Sequence, residues 1–343
     1  MKVNIHDIAK EAQVSISAVS QILNGREGRF SEETKARVIK VARELNYRPN
    51  LLAAGLASRK TMTLGLIIPD IRNPFFFHLA HGIDEFASQL GYTVMQSNSS
   101  DNHEKDMRLI QVMNSYQVDG LFYCMAANVS ESAFAASYRE LKNTEIPFVI
   151  VDRYYPVEGI NNVPGLDHEL GGYLATQHLI ELGHQKIACI SGPFKLIDAK
   201  LRYEGYCRAL KEASLEVAHQ LIREGDYSKS SSYELTKDLI AKENPTAIFA
   251  ANDLMALGAM AAVQECGLRV PGDISIVGYD NIFLVDLPDY NLTTVHQPIR
   301  ELGHVAVASL MEKLGEDCPA LAADYLLPRL IERGSTGPVL DGA

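Results

Sequence analysis

The sequence predicts an all-α helix-turn-helix head joined to a two-lobed α/β body built on two doubly wound parallel sheets. Three observations carry that prediction. Residues 1–60 hold 11 Lys and Arg against 6 Asp and Glu, a net of +5, while the whole chain stands at −11 and the remainder therefore at −16. Residues 1–50 contain three short amphipathic segments with capping signals at their starts. From residue 63 onward, short apolar runs alternate with amphipathic stretches through two rounds. A chain of 343 residues, 47% of them hydrophobic, has room for two or three domains and a large core. A basic end on an acidic body is the asymmetry expected when only that end meets DNA phosphates.

In the head, Asn4 with Asp7 three residues on reads as an N-cap with an acidic first turn, and Ile5, Ile8, Ala9 and Ala12 share one helical face. Gln13 and Val14 form a tight break. Ser15 caps a second helix with Val19, Ile22 and Leu23 at helical spacing and Gly25 past its end. Ser31, followed by Glu32 and Glu33, opens a third helix whose face is Val38, Val41, Ala42 and Leu45. The pattern alone fits either a helix-turn-helix or another small three-helix bundle.

In the body, 64–68, 92–97, 120–123 and 148–151 read as buried strands, with helices over 75–90, 104–115 and 130–141 between them. The second round reads helix 167–182, strand 187–190, helices 202–213 and 230–241, strand 247–250, helix 254–265 and strand 274–279. Open sheets of this kind present ligand groups at the carboxyl ends of their strands. Asp152 and Arg153, Asn252, and Asp280 each fall just after a strand. Asp, Asn and Arg supply planar partners for adjacent hydroxyls, and aromatic rings cover C–H faces, so the set suits a polyol. Each residue also has a plainer role open to it: Asn73 and Asp280 as turn residues, Arg202 in a surface ion pair, Phe75 in the core, Asn252 as a helix cap.

The stretches Asp7-Ile8-Ala9, Val14-Ser15, Val19-Ser20, Leu23-Asn24 and Leu45-Asn46-Tyr47, with Pro49-Asn50 beyond, resemble the signature of the lac repressor (LacI/GalR) family. Through Asn73-Pro74-Phe75-Phe76, Val151-Asp152-Arg153, Arg202 with Gly205-Tyr206, Asn252-Asp253, Gly278-Tyr279-Asp280 and Gln297-Pro298, the body resembles that family and the periplasmic monosaccharide-binding proteins. The resemblance implies a DNA-binding domain over 1–49, a hinge helix or linker over 50–60, and an effector-binding and dimerisation domain over 61–343. The chain would cross between lobes near 164, 294 and 325, giving one lobe of about 61–163 and 294–324 and another of about 164–293 and 325–343. It places the second helix in the major groove of a double-stranded operator, with Ile16, Ser17 and Ala18 exposed at its start as base-reading residues and Ser15, Ser20, Gln21 and Asn24 beside them. Gln13 stands where relatives carry Gly. Asn50, Ala53 and Leu56 belong to the implied hinge, with Leu56 as the wedge that enters the minor groove and kinks the duplex. Gly55 weakens that helix by about 1 kcal/mol relative to Ala. In the cleft, Asn73, Phe75, Phe76, Asp152, Arg153, Arg202, Asn252, Asp280 and Gln297 match the ligand contacts of the ribose-binding branch, and Tyr227 stands where that branch has Phe.

These readings combine into a cytoplasmic, dimeric repressor of carbohydrate genes, controlled by a ribose-like monosaccharide and needing no metal or cofactor. Lys2, Asp7, Lys10 and Glu11 leave no apolar stretch for an export signal, and no apolar run reaches the ~18–20 residues of a membrane span. The eight residues after Ser335, two glycines and a proline among them, cannot extend a heptad helix, so a dimer is expected rather than a tetramer. The five widely spaced cysteines are expected to be buried and inert. A purine-responsive repressor is the alternative within this class. An exported sugar-binding protein conflicts with the basic head. A sugar-processing enzyme would rest on Asp152 and Asp280 as an acid–base pair, yet both are already accounted for as hydroxyl acceptors.

Overall fold

The computed structural model describes residues 3–23, 30–47, 60–155, 160, 165–318 and 326–339. They fall into two compact units, Met1–Thr61 and Met62–Ala343.

The head contains α1 (Ile5–Glu11), α2 (Ile16–Leu23) and α3 (Glu32–Glu44). Asn4 and Asp7 form a reciprocal capping box. The Asn4 side chain accepts from the amides of His6 and Asp7, and the Asp7 carboxylate accepts from the Asn4 amide at 2.8 Å. Ser15 Oγ accepts from the Ala18 amide at 3.1 Å, and Ser31 Oγ from the Thr34 amide at 3.2 Å. Gln13 holds φ 53°, the left-handed conformation in which Gly is at home. The core joins Ile8, Ala9 and Ala12 to Val19 and to Val38, Val41 and Ala42. Arg37 of α3 donates to the Ala12 carbonyl at 3.1 Å, so one basic side chain of the head ties two helices together.

The body carries two sheets. The first has β1 (Thr63–Ile68), β2 (Thr93–Asn98), β3 (Gly120–Tyr123) and β4 (Phe148–Ile150), parallel throughout in the order β2-β1-β3-β4. Its helices are α4 (Pro74–Gln89), α5 (His103–Ser115) and α6 (Glu131–Asn143). The second sheet has β5 (Ile187–Ser191), β6 (Ile222–Glu224), β7 (Ala247–Ala250), β8 (Ser275–Asp280), β9 (Thr293–His296) and β10 (Arg329–Ile331), in the order β10-β9-β8-β7-β5-β6. Its helices are α7 (His168–Glu181), α8 (Ile197–Glu212), α9 (Lys229–Lys242) and α10 (Asp253–Glu265). Helix α11 (Ile299–Leu314), the last α-helix among the described residues, packs on α4 and so belongs to the first lobe. Gly172 of α7 lies so close to α8 that a Cβ there would collide with the backbone of Arg202. That contact draws the two helices together and fixes where Arg202 leaves α8.

Several expectations need correction. Strand β2 sits at a sheet edge and is only partly covered, not buried. The second sheet is not wholly parallel, because β10 runs antiparallel to β9. Strand β9 pairs with β8, so the return crossing follows His296 rather than falling near 294. Helix α8 begins five residues before the expected 202. Strands β6, β9 and β10 and helix α11 had no counterpart in the sequence reading. Cys124 and Cys189 are buried as expected, but Cys207 and Cys318 are half-buried and Cys266 is exposed. Among the described residues no helix is long and apolar enough to cross a membrane.

Candidate functional site

Ligand groups at the ends of strands need a backbone that turns sharply to aim them. Asp152 beyond β4, Tyr227 beyond β6 and Asp280 at the end of β8 have φ of 70°, 68° and 110°. Non-glycine residues avoid this region, and such strain, of order 1–3 kcal/mol each, gathers at functional sites. The three turns bring their side chains to one chamber between the lobes, lined by Asn73, Phe75, Asp152, Arg153, Asp198, Arg202, Tyr227, Asn252 and Asp280. This inner chamber offers about 10 Å³. It adjoins an outer chamber of about 350 Å³ that shares Asn73, Arg153 and Tyr227 and adds Phe76.

The chamber is a network of buried charge. Arg153 Nε lies 3.7 Å from Asp152 Oδ2 and 3.8 Å from Asp198 Oδ2, so it joins the two lobes. Its guanidinium carbon stands 5.2 Å from the centre of the Phe76 ring and 4.9 Å from that of Tyr227. Arg202 Nη1 donates to the Ala251 carbonyl at 2.6 Å, and Nε donates to His168 Nδ1 at 3.4 Å. Its Nη1 lies 3.9 Å from Asp280 Oδ1, and its guanidinium sits over the Tyr279 ring at 4.0 Å. Tyr227 donates its hydroxyl to Asp198 Oδ2 at 2.5 Å, and Gln297 Nε2 donates to Asp280 Oδ1 at 2.5 Å.

Burial pushes the Asp152 carboxyl up to about 7, against the pull of Arg153. It pushes Asp280 up to about 6, against Arg202. Asp198 is also raised by burial, but Arg153 and Arg202 outweigh that and hold it below the usual carboxylate range. His168 is lowered to about 3 by burial and by Arg202, so it stays neutral and its Nδ1 accepts from the guanidinium. Taking ions out of water costs several kcal/mol each, so this cluster is poor evidence of stability and good evidence of a site. Five of its buried polar atoms make no hydrogen bond among the described residues: Arg153 Nε, which has only its longer ion-pair contacts, His168 Nε2, Asp198 Oδ1, the Tyr279 hydroxyl and Gln297 Oε1. Unmatched donors and unmatched acceptors stand together here, the complement of a molecule whose groups both donate and accept, as hydroxyls do.

Eight of the ten expected effector residues therefore line one chamber. Phe76 lies beneath Arg153, and Gln297 reaches the site through Asp280. Two roles are partly structural. Asn252 Oδ1 caps α10 by accepting from the Met255 amide while its Nδ2 donates to the Tyr227 carbonyl, and Asn73 Oδ1 caps α4. Sequence reasoning missed Asp198 and His168. On α2, Ile16 is 42% exposed, Ser17 is exposed, and Gln21 Nε2 lies 3.4 Å from Ser17 Oγ, so these three share one outer face. Ala18 is only 7% exposed, which corrects its placement among the exposed base-reading residues. It sits one turn before the half-buried Ile22 and continues the helix's inner face. Ser15 serves as a cap, and Ser20 is half-buried. Asn24, Asn50, Ala53 and Leu56 lie outside the described residues.

Residues 4–50 match the family model of bacterial regulatory proteins, lacI family, and residues 176–336 match that of a periplasmic binding protein-like domain. Catabolite control protein A of Priestia megaterium is 38% identical over 340 residues, covering 98% of this chain and 100% of its own. The HTH-type transcriptional repressor PurR of Aliivibrio salmonicida is 40% identical over 334 residues, covering 96% and 98%. The crystal structure of the lac repressor dimer bound to operator and the anti-inducer ONPF superposes with a TM-score of 0.84 at 30% identity, covering 98% of this chain and 100% of that one. A LacI family transcriptional regulator from Enterococcus faecium with bound ribose superposes at 0.68 and 31% identity, covering 81% and 100%.

Proposed function

The chain belongs to the lacI family of bacterial regulatory proteins and is a DNA-binding transcription regulator, and from that premise we propose that it is a sugar-responsive repressor of carbohydrate-utilisation genes. Its effector in this reading is a monosaccharide, with a ribose-like pentose favoured. The observation that carries the reading is the convergence of Asp152, Arg153, Arg202 and Asp280 in one buried chamber with Phe75 and Tyr227. Carboxylates and guanidinium groups pair with adjacent hydroxyls, and the rings cover the sugar's C–H faces. The ribose held by the Enterococcus faecium regulator supports this choice. The likeness to repressors named PurR supports a second reading, a purine-responsive site. A planar base would use the same rings for stacking but would leave the acidic cluster short of donors.

The working form in this proposal is a cytoplasmic homodimer on a pseudo-palindromic operator, with Ile16, Ser17 and Gln21 at base edges. Ile16 offers apolar contact, for example to a thymine methyl, while Ser17 and Gln21 offer hydrogen bonds. The segment 50–58 acts as a hinge whose folding is sensitive to lobe position, so sugar closing the cleft shifts the DNA-binding equilibrium. Calorimetry of the purified full chain against pentoses, hexoses and purine bases tests the effector class. Saturable heat with a pentose supports the reading. Binding of a purine base with no sugar response replaces it with the second.

A further inference from the structure

We propose that Asp198, held in place by Tyr227, selects the effector by accepting a hydrogen bond from one particular ligand hydroxyl at Oδ1. This rests on the reading of the cleft as a polyol site and names the group that sets its preference. Asp198 lies in the first turn of α8, is 1% exposed, and lines the inner chamber beside Arg202 and Asp280. Its two oxygens have different surroundings. Oδ2 takes the Tyr227 hydroxyl at 2.5 Å and lies 3.8 Å from Arg153 Nε. Oδ1 is buried with no partner in the protein. Arg153 and Arg202 keep the group ionised, and an ionised carboxylate only accepts, so what meets Oδ1 must donate.

Tyr227 is built to hold this arrangement. It keeps φ 68°, a conformation that bulky residues seldom adopt. Its ring is so close to Gly192 that a Cβ there would collide with it, and the Arg153 guanidinium lies 4.9 Å from its centre. The hydroxyl that distinguishes Tyr227 from Phe is spent on Asp198. That bond fixes the rotation of the carboxylate and leaves Oδ1 as the oxygen that awaits a donor. A ligand lacking the matching hydroxyl would leave a buried, charged oxygen unsatisfied, which is the strongest form of discrimination a hydrogen-bonding site achieves.

The test pairs protein variants with ligand variants. Calorimetry would compare the wild-type chain, Asp198→Asn and Tyr227→Phe against D-ribose and its monodeoxy analogues. The proposal expects Asp198→Asn to weaken D-ribose about tenfold to a hundredfold. For one monodeoxy analogue the wild type and Asp198→Asn should bind alike, while the other analogues keep the full loss. Tyr227→Phe should reproduce the pattern with a smaller factor, and it keeps the test decisive if Asp198→Asn does not fold. Equal loss across all analogues would mean that Asp198 only supports the chamber, and the proposal fails. No loss with any analogue overturns it equally. Absence of binding by any sugar to the wild type would strike at the polyol reading itself, a result distinct from both.

Discussion

The two functional surfaces of this chain are built in opposite ways. The head presents its candidate reading face on the outside of a short helix, where Ile16 and Ser17 stand exposed and depend on little beyond the helix that carries them. The cleft gathers residues from Asn73 to Gln297, buries nearly all of them, and makes each charge depend on another. Side chains on the head can therefore change without disturbing the fold, which suits a surface that must follow an operator sequence. A change in the cleft propagates, because Arg153 serves two carboxylates and Arg202 links a carbonyl, an imidazole and an aromatic ring.

The largest expected effect follows from that dependence. Arg202→Ala should weaken sugar binding by about 2–4 kcal/mol, since it removes charge-assisted contacts and leaves Asp280 short of a partner. Operator binding without sugar should remain at the wild-type level. Calorimetry and gel-shift titration on the same preparation check both halves. A variant that lost operator binding as well would break the separation of the two surfaces.

Leu56→Ala should do the reverse. Losing the expected minor-groove wedge should weaken operator binding by about 1–2 kcal/mol, the scale of an apolar side chain's burial, with sugar affinity unchanged. Fluorescence anisotropy with labelled operator is the direct readout, and wild-type affinity would remove the hinge from the account.

The pH response should divide the two surfaces as well. Burial pushes the Asp152 and Asp280 carboxyls up to about 7 and about 6, and sugar hydroxyls donating to them would favour their ionised forms. Binding that lowers these values must tighten as pH rises from about 5 to about 8, roughly tenfold for each group whose value falls by about one unit. Asp198, already held low, adds no slope in that window. Asp152→Asn should flatten the curve. Affinity that falls with rising pH would contradict the assigned donors and acceptors.

The smallest effect concerns the head alone. Asn4→Ala removes one half of the capping box and should cost about 1 kcal/mol of the head's stability. Thermal unfolding of the full chain followed by circular dichroism should show the head transition lowered and the body transition unmoved.

The same contrast explains what was legible in the sequence. The head's helices announce themselves through Asn4, Ser15 and Ser31, because their caps are side chains. The buried strands β3 and β7 are short apolar runs covered on both faces, and periodicity marks their ends well. Helix α8 starts at Ile197 behind Leu196, whose side chain makes no capping bond, so nothing in the sequence marks its first turn. Asp198 sits in that turn, and it went unseen for that reason. His168 stayed hidden because its role depends on Arg202, which comes thirty-four residues later. Ala18 was misplaced because a small residue near the start of a helix carries no sign of which face it occupies. Strands β6 and β10 have three residues each, too few for a period to show.

The central claim is that sugar in the cleft controls DNA binding by the head. Its most direct test is an operator titration of the full-length chain, on a site obtained by in vitro selection, with and without saturating D-ribose and alongside Arg202→Ala. The account predicts that ribose weakens operator binding by the wild type at least about tenfold, a typical coupling of 1–3 kcal/mol. It predicts that Arg202→Ala binds operator normally and ignores the same ribose concentration. Identical wild-type titrations with and without ribose, or an Arg202→Ala variant that responds as the wild type does, would contradict it.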